Sequence, residues 1–109
     1  MIKIEKKENA PTLISIQDEM TICNVLEQKN ILYPHLRTDH DLQIDLSDVS
    51  EIDGAGMQLL IFLKHQAHIE KGELRFINHS EAVVEVVNIF NLSSFFNDPV
   101  VLLADRKGS

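Results

Sequence analysis

Cysteine is nearly absent from this chain: Cys23 stands alone and has no partner with which to close a disulfide. The start, MIKIEKKENA, lacks the apolar core of a signal peptide. A cytoplasmic location is therefore expected, and the sequons at Asn78-His79-Ser80 and Asn91-Leu92-Ser93, which matter only in a secreted protein, carry no weight. Tryptophan is missing and aromatics make up 6%, which leaves little material for stacking nucleobases. Positive charge is scarce as well, with 10 Lys+Arg against 17 Asp+Glu and a formal net charge of -7. Such a surface repels phosphate backbones and anionic lipids, and the only adjacent basic pairs are Lys6-Lys7 and Arg106-Lys107, so nucleic-acid binding is disfavoured. No run approaches the roughly 18 to 20 apolar residues of a membrane span, which argues against membrane insertion. What remains is an ordinary globular balance, 44% hydrophobic and 25% charged in 109 residues. That length suits a single domain, 1–109, with an ordered core expected over about residues 2–104.

Alternation of apolar and charged residues predicts an edge strand over Ile2 to Lys7, and the β-branched run Thr12 to Ile16 predicts a second, with Leu13 or Ile14 facing inward. The break at Asn9-Ala10-Pro11 makes a hairpin of the two. Thr21 is read as the N-cap of a helix from about Ile22 to Leu32 that carries Ile22, Val25, Leu26 and Leu32, with Cys23 as a small apolar filler and Pro34 expected to kink or end it. Arg37 to Asp41 then reads as a loop. Leu42 to Leu46 alternates cleanly, and a long polar turn to Gly56 holds two apolar pegs, Val49 and Ile52. A helix from about Ala55 to Ile69 or Glu70 is expected to stop at Gly72 in the left-handed region. Glu73 to Ile77 is a strand, and Ser80 caps a helix Glu81 to Phe90 with Val83, Val86, Val87 and Phe90 inward. Asn91 ends that helix, Ser93 to Phe96 is a short turn, and Pro99 to Leu103 is a last strand before a frayed Arg106 to Ser109. Strands and helices alternate from the second strand onward, which predicts a mixed sheet with parallel crossovers.

Chemistry-bearing residues are few. His65 and His68 lie three apart on one helix with no cysteine or carboxylate one turn away, and His35 and His40 sit among solvated acids, so no metal site is expected. His79-Ser80 reads as capping, no nucleophile elbow is present, and neither a catalytic centre nor a cofactor is expected. Asp53, just ahead of a helix, suits amide capping better than catalysis. Gly54 and Gly56 suit tight turning and close approach; flanked by Asp48, Glu51 and Asp53, they do not form a phosphate loop. A helical wheel from Gly54 puts Gly56, Leu59, Leu60, Leu63 and Ala67 on the core side and Gly54, Met57, Gln58, Ile61, His65 and His68 opposite. Met57 and Ile61 would then be apolar residues on the wet side, i and i+4, fit to anchor a partner. The competing reading is a wheel off by one residue, or isolated apolar residues of no consequence.

The segment Asp45 to Leu60, DLSDVSEIDGAGMQLL, resembles the signature of the STAS domain, the fold of bacterial anti-sigma factor antagonists. That pattern is a strand ending in Asp-Leu-Ser, a short turn with apolar pegs, and Asp-Ser-Ser-Gly-Leu opening a helix. Asp45-Leu46-Ser47, Asp53 and Gly56 match, and Met57 stands for the usual Leu. The similarity runs on through Gly72-Glu73-Leu74, Ile89-Phe90-Asn91-Leu92 and Phe95-Phe96. It implies an α/β fold of the STAS, SpoIIAA-like kind, a mixed sheet of about four to five strands against about three to four helices. It implies a non-enzymatic adaptor that binds a protein partner, an anti-sigma factor or serine-kinase-like or other ATPase-like protein, through the turn and helix at Asp53, Gly54, Ala55, Met57, Gln58, Ile61 and His65. In the antagonists the serine just before the glycine is phosphorylated; here that position is Ala55, preceded by Gly54, and neither can take the -1.5 to -2 charges, roughly, of a phosphate. The chain is thus expected to stay in the form equivalent to unphosphorylated. Ser47 and Ser50 are not expected to substitute, Ser47 capping the turn with its own hydroxyl. The resemblance allows a chemotaxis or stress-signalling setting, a permanent subunit of a phospholipid-transport ABC complex, or a small-molecule sensor. A monomer or weak homodimer fits each.

Overall fold

Asn9 adopts φ 59°, a left-handed turn that asparagine tolerates well, and the chain folds back on itself there. The flanking segments, β1 (Ile2–Glu5) and β2 (Thr12–Ile16), pair antiparallel with Ile4 opposite Ile14. A helix, α1 (Val25–Thr38), carries the chain across to β3 (Asp41–Asp45), which joins β2 in parallel. A second, α2 (Gly54–Ile69), leads to β4 (Glu73–Ile77), parallel to β3, and α3 (Glu81–Ile89) follows. The computed structural model describes residues 1–39 and 41–90. Among them the sheet has four strands in the order β1-β2-β3-β4, with the expected hairpin, the expected edge strand and two parallel crossovers. The readings placed on 91–109 and on His40 lie outside the described residues.

Strand alternation decides the core. Ile14, Ile16, Leu42, Ile44, Leu74 and Phe76 are all buried on one face, while their neighbours Leu13, Ser15, Gln43 and Arg75 are half-buried or exposed on the other. Against that apolar face pack Leu32 and Leu36 of α1, Leu59, Leu60, Leu63 and Ala67 of α2, and Val83, Val84 and Val87 of α3. Val49 and Ile52 are buried as pegs of the long turn.

Five local expectations are corrected. The first helix begins at Val25, because Thr21 heads a separate turn: its carbonyl accepts from the Asn24 and Val25 amides at 2.8 and 3.0 Å, and Cys23 in that turn is exposed, not a filler. Pro34 does not end the helix. Leu32 and Leu36 are buried on either side of it, and that burial offsets the roughly 3 kcal/mol an internal proline costs, so the helix absorbs Arg37 and Thr38 and β3 takes Asp41. Along α3 it is Val84, not Phe90, that joins Val83 and Val87 inside; Phe90 falls beyond the last helical residue and is exposed. The turn after β3 is closed by Asp45 and Ser47 together, the carboxylate accepting the Ser47 amide at 2.8 Å as well as its hydroxyl, where the hydroxyl alone was expected.

The fifth concerns the end of α2, where the left-handed residue is Lys71 at φ 62° and no described glycine has positive φ. The Gly72 amide reaches the Ala67 carbonyl at 2.9 Å and the Lys71 amide reaches His68, so the stop is one residue earlier than the glycine. A lysine held there bears the steric cost that glycine avoids. Lys71→Gly is therefore expected to raise stability by about 0.5–1 kcal/mol, readable as a higher urea midpoint at unchanged slope.

Candidate functional site

The turn Ser47 to Asp53 is tied down from several sides before α2 begins. Leu46 is held by the end of β4 and the segment after it, its amide donating to the Ile77 carbonyl and its carbonyl accepting from the Ser80 amide. Ile52 forms an isolated parallel bridge with Met20, whose amide donates to Glu51 at 2.7 Å and whose carbonyl accepts from Asp53 at 3.2 Å. The segment before α1 thus runs alongside the segment before α2. Gly56 is what lets them approach: a Cβ there would overlap the Met20 carbonyl oxygen and stand 2.7 Å from Ile52 Cγ1. Gly54 has no such need, since nothing lies within 4 Å of its Cβ direction and its φ is negative, which corrects the symmetrical reading of the two glycines.

Asp53 locks the arrangement. One carboxylate oxygen accepts the Gly56 amide at 3.0 Å as the expected N-cap, and the other accepts the Ile22 amide at 3.0 Å across 31 residues of chain. The Gly56 amide first, then that of Ile22, hold the Asp53 carboxyl below its ordinary pKa, so it is charged at neutral pH. Asp45, at the other end of the turn, is also lowered: burial alone would raise it, but the Ser47 hydroxyl and amide and the Asn78 side chain outweigh that. Both acids are structural fasteners.

The clip sets out the surface. Ile22 is 72% exposed and Leu26 70% exposed. Leu26 lines a groove between α1 and α2 together with Val25, Lys29, Ala55, Gln58 and Phe62. Beyond it the groove continues past Tyr33, Pro34 and Gln66, with the Phe62 ring stacked on Tyr33 at 6.0 Å between centroids and the Lys29 ammonium 4.5 Å above it. Ala55 is half-buried on this groove's wall.

Of the residues expected to contact a partner, Gly54, Gln58 and His65 are exposed, Asp53, Ala55 and Ile61 are half-buried, and Met57 is not on the surface at all. Met57 is 2% exposed and belongs to the core cluster, because the sheet beneath and α1 beside α2 widen its buried arc beyond one stripe. The competing reading of the wheel was right for Met57. Missing from the expectation were Ile22, Leu26 and Phe62. One signal could have found Leu26: Gln28, Leu32 and Leu36 recur every four residues and are the buried stripe of α1, with the Gln28 side-chain Nε2 donating to the Glu19 carbonyl at 2.9 Å, which leaves Leu26 off that stripe.

Nothing in this arrangement is a catalytic constellation; it is a rigid turn presenting two helix ends and an apolar groove. Among the described residues no three of His, Cys, Asp or Glu gather as metal ligands, and no helix is long and apolar enough to cross a membrane.

Comparison with known proteins identifies the fold. A family model described as the MlaB STAS domain matches residues 4–103. Among solved structures, the anti-sigma factor antagonist SpoIIAA in its unphosphorylated form superposes with a TM-score of 0.69 at 16% identity, over 90% of this chain and 87% of that one. An anti-sigma factor antagonist from Mycobacterium paratuberculosis gives 0.73 at 16% identity, over 99% and 93%. The phosphorylated form of Bacillus SpoIIAA gives 0.67 at 14% identity, over the full length of both. Among curated protein sequences none matches significantly.

Proposed function

The chain belongs to the STAS domain family, and on that footing we propose that it is a non-enzymatic adaptor that regulates a protein partner by occupying it. The contact surface is the α2 N-terminus from Asp53 to Gln58 together with the preceding turn and first turn of α1. The observation that carries this reading is the pair of exposed apolar residues Ile22, whose amide is held by Asp53, and Leu26, which lines the groove together with Ala55. Apolar side chains standing in water beside a rigid helix end are the anchors of a protein interface.

SpoIIAA, which shares the fold, exists in phosphorylated and unphosphorylated forms. Ala55 has no hydroxyl to modify, so in this chain the surface stays permanently in the binding-competent condition. The partner that suits such a surface is an ATPase-like or serine-kinase-like protein, in a signalling pathway of the anti-sigma kind. The same alanine favours a second reading, in which the absence of a switch reflects a permanent complex, such as the STAS subunit of a phospholipid-transport ABC assembly.

The test adds back the missing charge. Ala55→Glu puts a carboxylate on the groove wall, and affinity capture from native lysate is expected to recover the partner with the wild type and at least about tenfold less with the variant, the loss of about 1.4 kcal/mol of binding. Identification of the captured ATPase as a kinase-type protein or as an ABC subunit separates the two readings. Equal capture by both proteins would move the interface away from position 55 and end the proposal.

A further inference from the structure

β1 stands at one edge of the sheet, and strand geometry decides which of its backbone groups bond to β2. One step before the Ile2–Ile16 pair, the Met1 carbonyl accepts the Gln17 amide at 2.8 Å, which marks Met1 and Gln17 as a hydrogen-bonded pair. Bonded and non-bonded pairs alternate in an antiparallel ladder. Lys3 and Glu5 therefore bond to Ser15 and Leu13, while Ile2 and Ile4, opposite Ile16 and Ile14, turn their amides and carbonyls outward. Among the described residues no strand lies beyond them. The Ile2 and Ile4 side chains point to the helix layer, where Ile4 is 36% exposed; Lys3 and Glu5, both exposed, stand on the other face. Lys6 continues on the Ile4 side, its ammonium 3.4 Å from Asp39 just past the end of α1. In the helix layer Ile31 is 41% exposed, two residues from Tyr33 and so on nearly the opposite flank of α1 from the Tyr33–Phe62 contact with α2. An open strand edge beside exposed isoleucines is a template for another strand.

Charge selects the occupant and its register. If the added strand is β1 of a second copy, laid antiparallel, the outward residues of both must meet, so even-numbered residues stand opposite even-numbered ones. With Ile2 opposite Ile4, Lys3 meets Lys3; with Ile4 opposite Lys6, Glu5 meets Glu5 and Lys3 meets Lys7. Like charges directly opposite are destabilising. With Ile4 opposite Ile4, Lys3 of each copy meets Glu5 of the other, in the non-bonded pairs where side chains come closest, and Ile2 meets Lys6. We propose that two copies of this chain join antiparallel along β1 with Ile4 on the two-fold axis, merging two four-stranded sheets into one. Such a contact is self-complementary, so assembly stops at the dimer. The axis stands perpendicular to the sheet, which keeps the helices of both copies on one face and runs their β3 strands in opposite directions. The surface from Asp53 to Gln58 lies beyond the end of β3, so the two copies of it face away from each other at opposite ends of the dimer and stay uncovered. The pairing does not depend on the adaptor reading; where both hold, the adaptor has two heads.

Sedimentation equilibrium in about 0.15 M salt reads the association. The shared edge is short, and a Kd of about 10–300 μM is expected. Lys3→Glu and Glu5→Lys, each at an exposed position, set like charges opposite one another in this register, and each is expected to weaken self-association at least about tenfold. An equal mixture of the two variants is expected to associate as tightly as the wild type, because each copy supplies the charge the other lacks. The double variant, Lys3→Glu with Glu5→Lys, keeps the net charge and is expected to do the same. Ile4→Pro removes an amide that β2 does not use, and is expected to abolish association with an unchanged far-UV circular dichroism spectrum. In hydrogen exchange the Ile4 amide is expected to gain protection as the wild-type concentration rises, while the Lys3 and Glu5 amides, already bonded to β2, change little.

A wild type that stays monomeric up to about 1 mM would overturn the proposal. So would a dimer that survives Ile4→Pro and both charge variants, which places the contact elsewhere, or a mixture that associates no better than either variant alone, which removes the register. If Ile4→Pro unfolds the chain, the charge variants and their mixture still decide, since neither position is buried. Loss of partner capture on Ala55→Glu with the dimer intact, or loss of the dimer on Glu5→Lys with capture intact, separates this contact from the adaptor surface.

Discussion

Gly56→Ala is expected to cost about 3 kcal/mol or more, at the top of the range for overpacking a rigid site. The added methyl would overlap the Met20 carbonyl oxygen, and its next neighbours are Ile52 Cγ1 at 2.7 Å and the Met20 carbonyl carbon at 2.9 Å. Backbone cannot move aside as a side chain tip can. Met20 is held by its bonds to Glu51 and Asp53, and Gly56 by its bond to Asp53, so relief of the overlap means opening the junction between the two segments that frame the groove. For a chain of this size a loss of about 3 kcal/mol corresponds to roughly 10–20 °C in Tm, and it is expected as a lower midpoint in urea with a separate change in the environment of α1. Gly54→Ala is the paired control. With open space around it and an ordinary φ, the substitution is expected to be neutral or to stabilise by about 0.5 kcal/mol through the unfolded chain. Equal destabilisation by both would mean that helix-start geometry, not the Met20 contact, selects glycine here.

Leu26→Glu is expected to do the opposite, leaving stability within about 0.5 kcal/mol of the wild type while reducing partner binding by about 30-fold or more. The side chain is 70% exposed, so little of it is withdrawn from water by folding, and the change adds one more carboxylate to a chain whose formal net charge is -7. Partner binding would lose an aliphatic anchor and meet an unpaired charge in the same place, and truncation of such anchors costs about 2 kcal/mol or more. Quantitative capture of the partner, together with a thermal melt, reads both effects. A variant that binds like the wild type would place the interface elsewhere; one that unfolds would show that Leu26 packs in solution.

Much of the fold was legible because period-two and period-four patterns survive any detail of packing. Leu42, Ile44 and Leu46 could face only one way, Ser80 did cap α3, and Val49 and Ile52 did plug the turn. The segment around Asp53 was legible for a different reason: an acid three residues ahead of a glycine at a helix start has few other uses, and its oxygen does accept the Gly56 amide.

What local pattern left open were the positions decided by a second element. Pro34 reads as a kink or a terminator, and that the helix runs on past it is seen only once Leu36 is found buried beyond it. Met57 reads as exposed until the sheet and α1 close around α2, and Ile22 reads as the first residue of a helix until Thr21 starts its own turn and Asp53 bonds the Ile22 amide from 31 residues away. A single chain segment contains the hydrophobic period that makes it a helix or strand, so element order, the mixed sheet and the acidic character follow from residue order alone. Which side of a helix is covered depends on how many neighbours it has and from which directions they come. That is a property of the assembled molecule, and the groove between α1 and α2 exists only there.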